Sequence, residues 1–127
     1  MNAMTLAQRA YAPPSAATET PREIEHRALA RVTAKLRALR DDDGPGAAAR
    51  KAEALNENAR LWAIFGDDCG SPTNPLPLEL RRGIVKLAAF SLVHMRRVLA
   101  GEADVEPLIE VNVAVMRGLR GQASVAA

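Results

Sequence analysis

Few residues in this 127-residue chain have the chemistry of a catalytic or metal centre. The histidines are His26 and His94, and the one cysteine is Cys69. His26 stands with Glu23 and Glu25 on the polar side of one helical stretch, and His94 at the edge of an apolar arc in another. Nucleophilic catalysis needs a base within hydrogen-bond reach of the nucleophile and a third group to orient it. No spacing here brings such a set together. The two histidines read as a solvated side chain and a hydrogen-bonded edge residue. A single cysteine excludes an internal disulfide and a Cys-based zinc cage. Asp41, Asp42 and Asp43 before Gly44 invite a calcium reading. Counted from Asp41, however, the third, fifth and twelfth loop positions are Asp43, Pro45 and Ala52, which is not an EF-hand pattern. These acids read as cap and turn residues. No glycine-rich phosphate-binding motif occurs. The expectation is a protein that is not an enzyme and holds no cofactor or metal.

The basic residues raise a different chemistry. Arg82, Lys86, Arg96 and Arg97 share one side of a helical stretch, and Arg27, Arg31 and Lys35 form an i, i+4, i+8 row on another. That pattern admits direct mRNA contact as an alternative function. Against it, Glu79 shares the side of the first group, and Glu23 precedes Arg27 at a favourable ion-pair spacing. The net charge is only +2, from 17 basic and 15 acidic residues, so the electrostatic drive toward phosphate is small. Aromatics make up 3% of the chain, too few for a base-stacking platform.

The elements that position these groups are helical. Residues 2–12 read as a short helical arm and 13–19, which begin with Pro13 and Pro14, as a linker. Thr20, Pro21 and Glu23 supply an N-cap, a first-turn proline and a capping acid for a helix to about Arg40. Its apolar stripe is Ala28, Leu29, Val32, Leu36 and Leu39, bordered by Ile24. A second helix covers about 46–65, with Leu55, Ala59 and Trp62 in its stripe and a last turn that is apolar nearly all round. Residues 66–77 read as a loop, from their glycines and prolines. A third helix runs over about 77–100 and is closed by Gly101. A fourth begins near Asp104 and closes at Gly118 and Gly121. The third and fourth have apolar arcs of about 220° and 200°. The fold expected is an all-α bundle of four main helices: a domain over 20–121 with an N-terminal arm (1–19) and a frayed tail (122–127). No run approaches the roughly 18 apolar residues of a membrane span, and the first residues lack the apolar core of a secretion signal. The expected location is the cytoplasm.

Such wide apolar arcs leave two arrangements open. The third helix is central and wrapped by the others, or an apolar strip stays exposed and receives a partner helix. Ala88, Ala89, Ala114, Met95 and Met116 suit an adaptable groove. Asn112 falls inside the fourth helix's apolar arc and, if buried, needs hydrogen-bond partners. A tie between helices is the expected role.

Three blocks carry a resemblance: Asn58-Ala59-Arg60-Leu61-Trp62; the run from Asn74-Pro75-Leu76-Pro77 through His94; and Val98 to Ala103 leading to Leu108–Asn112 and Met116–Leu119. With Leu6–Tyr11 and Thr20-Pro21-Arg22, their order and spacing make the chain similar to the FlaF family of flagellar biosynthesis proteins. The resemblance implies a chaperone that binds unassembled flagellin and delivers it to the flagellar type III export apparatus. It also implies a part in post-transcriptional control of flagellin synthesis, with FlbT as counterpart.

Unassembled flagellin has amphipathic terminal helices without partners, and a bundle with spare apolar surface can cap one. Large aromatics dominate interface energies, so Trp62 and Phe65, with Leu61, are the first candidates for that groove. Leu6 and Tyr11 of the arm are candidates to close over the bound helix, and Met116 and Leu119 to contribute from the last helix.

Overall fold

The computed structural model describes residues 21–126, with side chains from 23 to 118. The arm, the linker, Leu6, Tyr11 and the side chain of Leu119 therefore lie outside the described residues. Among the described residues four helices follow in order: α1 (Pro21–Ala38), α2 (Ala47–Gly70), α3 (Leu78–Leu99) and α4 (Glu106–Ala126), with a 3-10 turn over Leu39–Asp41 after α1. Among the described residues there is no strand. The architecture is a small all-α bundle.

α2 and α3 pack most extensively against each other, α1 packs on α4 and on α2, and α3 touches α4 only lightly. Apolar faces that no single helix can hide are thus buried pairwise. The α1 stripe lies where its periodicity puts it: Ala28, Leu29, Val32 and Leu36 are buried, and Leu39 packs at the edge. α2 contributes Leu55, Leu61, Trp62, Phe65 and Cys69, and α4 contributes Leu108, Ile109, Val115 and Met116.

α2 departs most from expectation. It does not end near residue 65 but runs through Gly66, Asp67 and Asp68 to Gly70. Two contacts explain the extension. Gly66 lies where an added Cβ would stand 3.1 Å from the Ala88 Cβ, so its missing side chain lets α2 and α3 approach closely. Beyond it, the Asn74 side chain donates to the Asp68 carbonyl (3.2 Å) and to Asp68 Oδ2 (3.0 Å), while its Oδ1 accepts from the Leu76 amide at 2.9 Å. The end of α2 is capped from the loop that follows it.

α3 ends as the sequence indicates. Gly101 has φ +76°, its amide bonds to the Val98 carbonyl, and the Glu102 amide bonds to the Arg97 carbonyl. That is the paired pattern of a Schellman cap. The Glu106 amide donates to Asp104 Oδ1 at 3.0 Å, which starts α4. α4 runs to Ala126, past Gly118 and Gly121. Each glycine weakens a helix by only about 1 kcal/mol, and no proline follows to stop it.

Polar ties fix how the helices sit. Lys35 of α1 reaches Glu57 of α2 at 2.7 Å. Arg40 and Glu106 form a two-bonded pair that links the end of α1 to the start of α4, and this raises the Arg40 guanidinium pKa. Asp42 is gripped by Arg50 through Nε (2.6 Å) and Nη2 (2.7 Å), and Arg50 also donates to the Pro45 carbonyl. The acidic turn thus anchors the first loop. The Arg50 hydrogen bonds hold the Asp42 carboxyl below its usual pKa.

Candidate functional site

Four of the residues first named for a groove, Leu61, Trp62, Phe65 and Met116, lie in the core. Leu61 and Trp62 have no exposed surface, and Phe65 and Met116 are buried as well. Trp62 meets Phe65 edge to face at 5.8 Å between ring centroids. The apolar last turns of α2 face the core because α2 has neighbours on both flanks, α1 and α3. Periodicity gave the width of the apolar arc but not the number of helices around it. Leu6, Tyr11 and Leu119 fall outside the described side chains.

Asn112 is fully buried and accepts from Trp62 Nε1 at 2.8 Å through its Oδ1. Its Nδ2 donates to Asn58 Oδ1 at 2.9 Å. This is the expected tie between helices, and it adds Asn58, which periodicity alone did not single out. His94 is also structural: it is buried, stacks on Phe90 (ring centroids 5.3 Å apart), and its Nε2 donates to the Asp104 carbonyl at 2.8 Å.

The surplus apolar surface lies on α3, which is peripheral rather than central. Its inner face buries Ile84, Ala88, Ser91, His94 and Val98. Its outer face leaves Leu78, Val85, Phe90, Val93 and Leu99 exposed, each by 39% or more, and these are the exposed large hydrophobics of the described chain. Leu78, Val85, Leu92 and Leu99 recur at seven-residue intervals, and at 3.6 residues per turn they form one gently drifting row. Exposed Ala89 and Val93 stand beside it. The half-buried Leu92 also borders a shallow groove of about 630 Å³ against α2, whose other walls are Glu53, Asn56, Ala59, Arg60 and Ala63. A row of this kind on one helix face is unpartnered surface of the sort that receives another helix.

The basic residues named from the sequence are on this same side. Arg82, Lys86, Arg96 and Arg97 are all exposed, and Arg82 is 3.6 Å from Glu79. Sequence periodicity found these charges and the apolar residues separately. It did not show that they share a face, because the inner half of the 220° arc was not yet distinguished from the outer.

Among the described residues, no group of three His, Cys, Asp or Glu side chains is placed to hold a metal ion, and no helix is long and apolar enough to cross a membrane. Neither a curated protein nor a solved structure matches the chain. The family described as "Flagellar protein FlaF" matches residues 7–119, nearly the whole sequence. With the matched span covering all four helix cores and the conspicuous face of α3, the chain belongs to the FlaF family of flagellar proteins.

Proposed function

We propose that this flagellar protein binds unassembled flagellin in the cytoplasm as an export chaperone, and so supports flagellin synthesis and its delivery to the type III export apparatus. One observation carries the reading: the described bundle closes its own core yet keeps a row of large apolar side chains exposed along α3. A monomer gains nothing in stability from such a row, whereas a protein that takes up amphipathic helices needs one. An occupant burying about 800 Å² on each side would form a specific, stable complex. Release at the export gate needs a grip that is non-covalent and reversible, and a surface groove supplies one more readily than an enclosed pocket.

The test is co-purification of the full chain with flagellin, alongside flagellin lacking its terminal helices. The expected result is a near-equimolar complex with the full-length form and its loss with the truncated one. Equal retention of both forms overturns the terminal-helix mode, and no retention of either overturns the chaperone reading. Direct mRNA binding predicts instead an RNA complex that weakens steeply with salt and is lost on reversing Arg82, Lys86 and Arg97.

A further inference from the structure

The charges around the α3 row specify the kind of helix it takes, an inference that rests on the row being a docking surface. α3 has five basic residues, Arg81, Arg82, Lys86, Arg96 and Arg97, and one acidic residue, Glu79. The whole chain has 17 basic and 15 acidic residues, so everything outside α3 is net acidic. Arg81 is committed to the fold through a 2.9 Å hydrogen bond to the Ser71 carbonyl. Among the described residues Arg82 pairs with Glu79 at 3.6 Å, and that carboxylate is itself highly exposed. Lys86, Arg96 and Arg97 are exposed and form no ion pair within the described residues. On helical spacing, Arg82 and Arg96 punctuate the apolar row, while Lys86 and Arg97 line one edge of it.

We propose that the outward face of α3 docks an amphipathic helix whose apolar row is flanked by Asp or Glu. Charge selects this occupant over the two others at hand. A second copy placed face to face would bring cation against cation, which opposes association. Residues 1–20 of this chain offer one acidic residue, Glu19, offset by Arg9. A carboxylate-flanked helix pairs its apolar row with Leu78, Val85, Leu92 and Leu99 and its acids with Arg82, Arg96, Lys86 and Arg97. The seven-residue recurrence suits a shallow left-handed crossing of two helices, and α3 is long enough, at about 33 Å, to keep contact over three such intervals. Ala89 beside the middle of the row, with Ala59 and Ala63 in the adjoining groove, lets the guest backbone come close. The interior charges supply orientation and on-rate more than raw affinity.

The experiment uses the full chain and two synthetic 22-residue amphipathic helices with identical apolar positions, one flanked by Glu and one by Lys, with binding read by fluorescence anisotropy. The Glu-flanked peptide is expected to bind at least tenfold tighter at low salt, with the gap narrowing as salt rises. V93D is expected to abolish its binding, and R82E combined with R96E to transfer the preference to the Lys-flanked peptide. Circular dichroism confirms that each variant is folded. Equal affinity for both peptides, or binding indifferent to V93D, overturns the proposal. A photo-crosslinking residue at position 93 identifies the occupant directly. Crosslinks to the Glu-flanked peptide support the proposal; crosslinks to residues 1–20 or to a second copy in its presence overturn it. Flagellin capture that survives V93D overturns this docking face and leaves the chaperone reading standing. A wild-type chain that binds the Glu-flanked peptide but captures no flagellin keeps the face and ends that reading.

Discussion

Trp62 Nε1 donates a 2.8 Å hydrogen bond to Asn112 Oδ1 where neither residue is exposed. The bond joins the second half of α2 to the first half of α4, and Asn112 passes it on to Asn58 through its own amide. Two amides and an indole N–H are thereby buried together between the helices. Such a network sets the register of the helices, because sliding either helix by one residue strands the donors.

Asn112→Ala therefore destabilises the fold by about 2–4 kcal/mol, combining lost packing with an orphaned Trp62 N–H. Trp62 is the only tryptophan, so its fluorescence in urea titrations reads the effect directly. A change under about 0.5 kcal/mol, the scale of a surface substitution, would contradict the assigned role.

The Gly66–Ala88 approach gives a coupled pair. Gly66→Val forces the α2–α3 seam apart and costs about 1–3 kcal/mol. Trimming the opposing side chain with Ala88→Gly makes room for it. The double variant is expected to lose less than the two single losses added together, as measured by a double-mutant cycle in denaturant.

Two glycines have opposite expectations. Gly101 has φ +76°, a conformation that costs other residues about 1–2 kcal/mol, so Gly101→Ala lowers the melting temperature. Gly83 lies within α3 with open space where a Cβ would project. Gly83→Ala is expected to raise stability by about 0.5–1 kcal/mol through helix propensity. Calorimetry of the two variants should give melting shifts of opposite sign.

The Asp42–Arg50 grip gives a pH dependence. Hydrogen bonds from Arg50 lower the Asp42 pKa on folding. The contribution is thus fully present above the unfolded aspartate value of about 3.9, and is lost as pH falls through the lower folded value. Asp42→Asn removes this contribution. The variant is expected to be less stable than wild type at neutral pH, with the difference shrinking in denaturant melts taken below about pH 4. A difference that grows on acidification would contradict the assignment.

The periodic stripes made the four helices legible in the sequence, since a buried face leaves a mark every three or four residues. Gly101 after Leu99 and Asp104 ahead of α4 also announced their caps. The extension of α2 to Gly70 did not, because Gly66 and Asp67-Asp68 look like breakers until Ala88 and Asn74 are placed beside them. The docking face was half legible. The excess of apolar residues and the basic row were both visible, but which helix kept its excess depended on neighbours. Trp62 and Phe65 found theirs; Val85 and Val93 did not. Burial is a property of the assembled bundle, and a single helix's arc records only how much burial it can use.

α3 leans chiefly on α2 and hardly on α4, so one seam carries most of its anchorage. Backbone amides along it should exchange with deuterium sooner than those of α2, by local opening that leaves the remainder of the bundle intact. A guest laid against the outer side would clamp this helix between two surfaces and slow that exchange, so occupancy would be recorded in the rigidity of the helix itself.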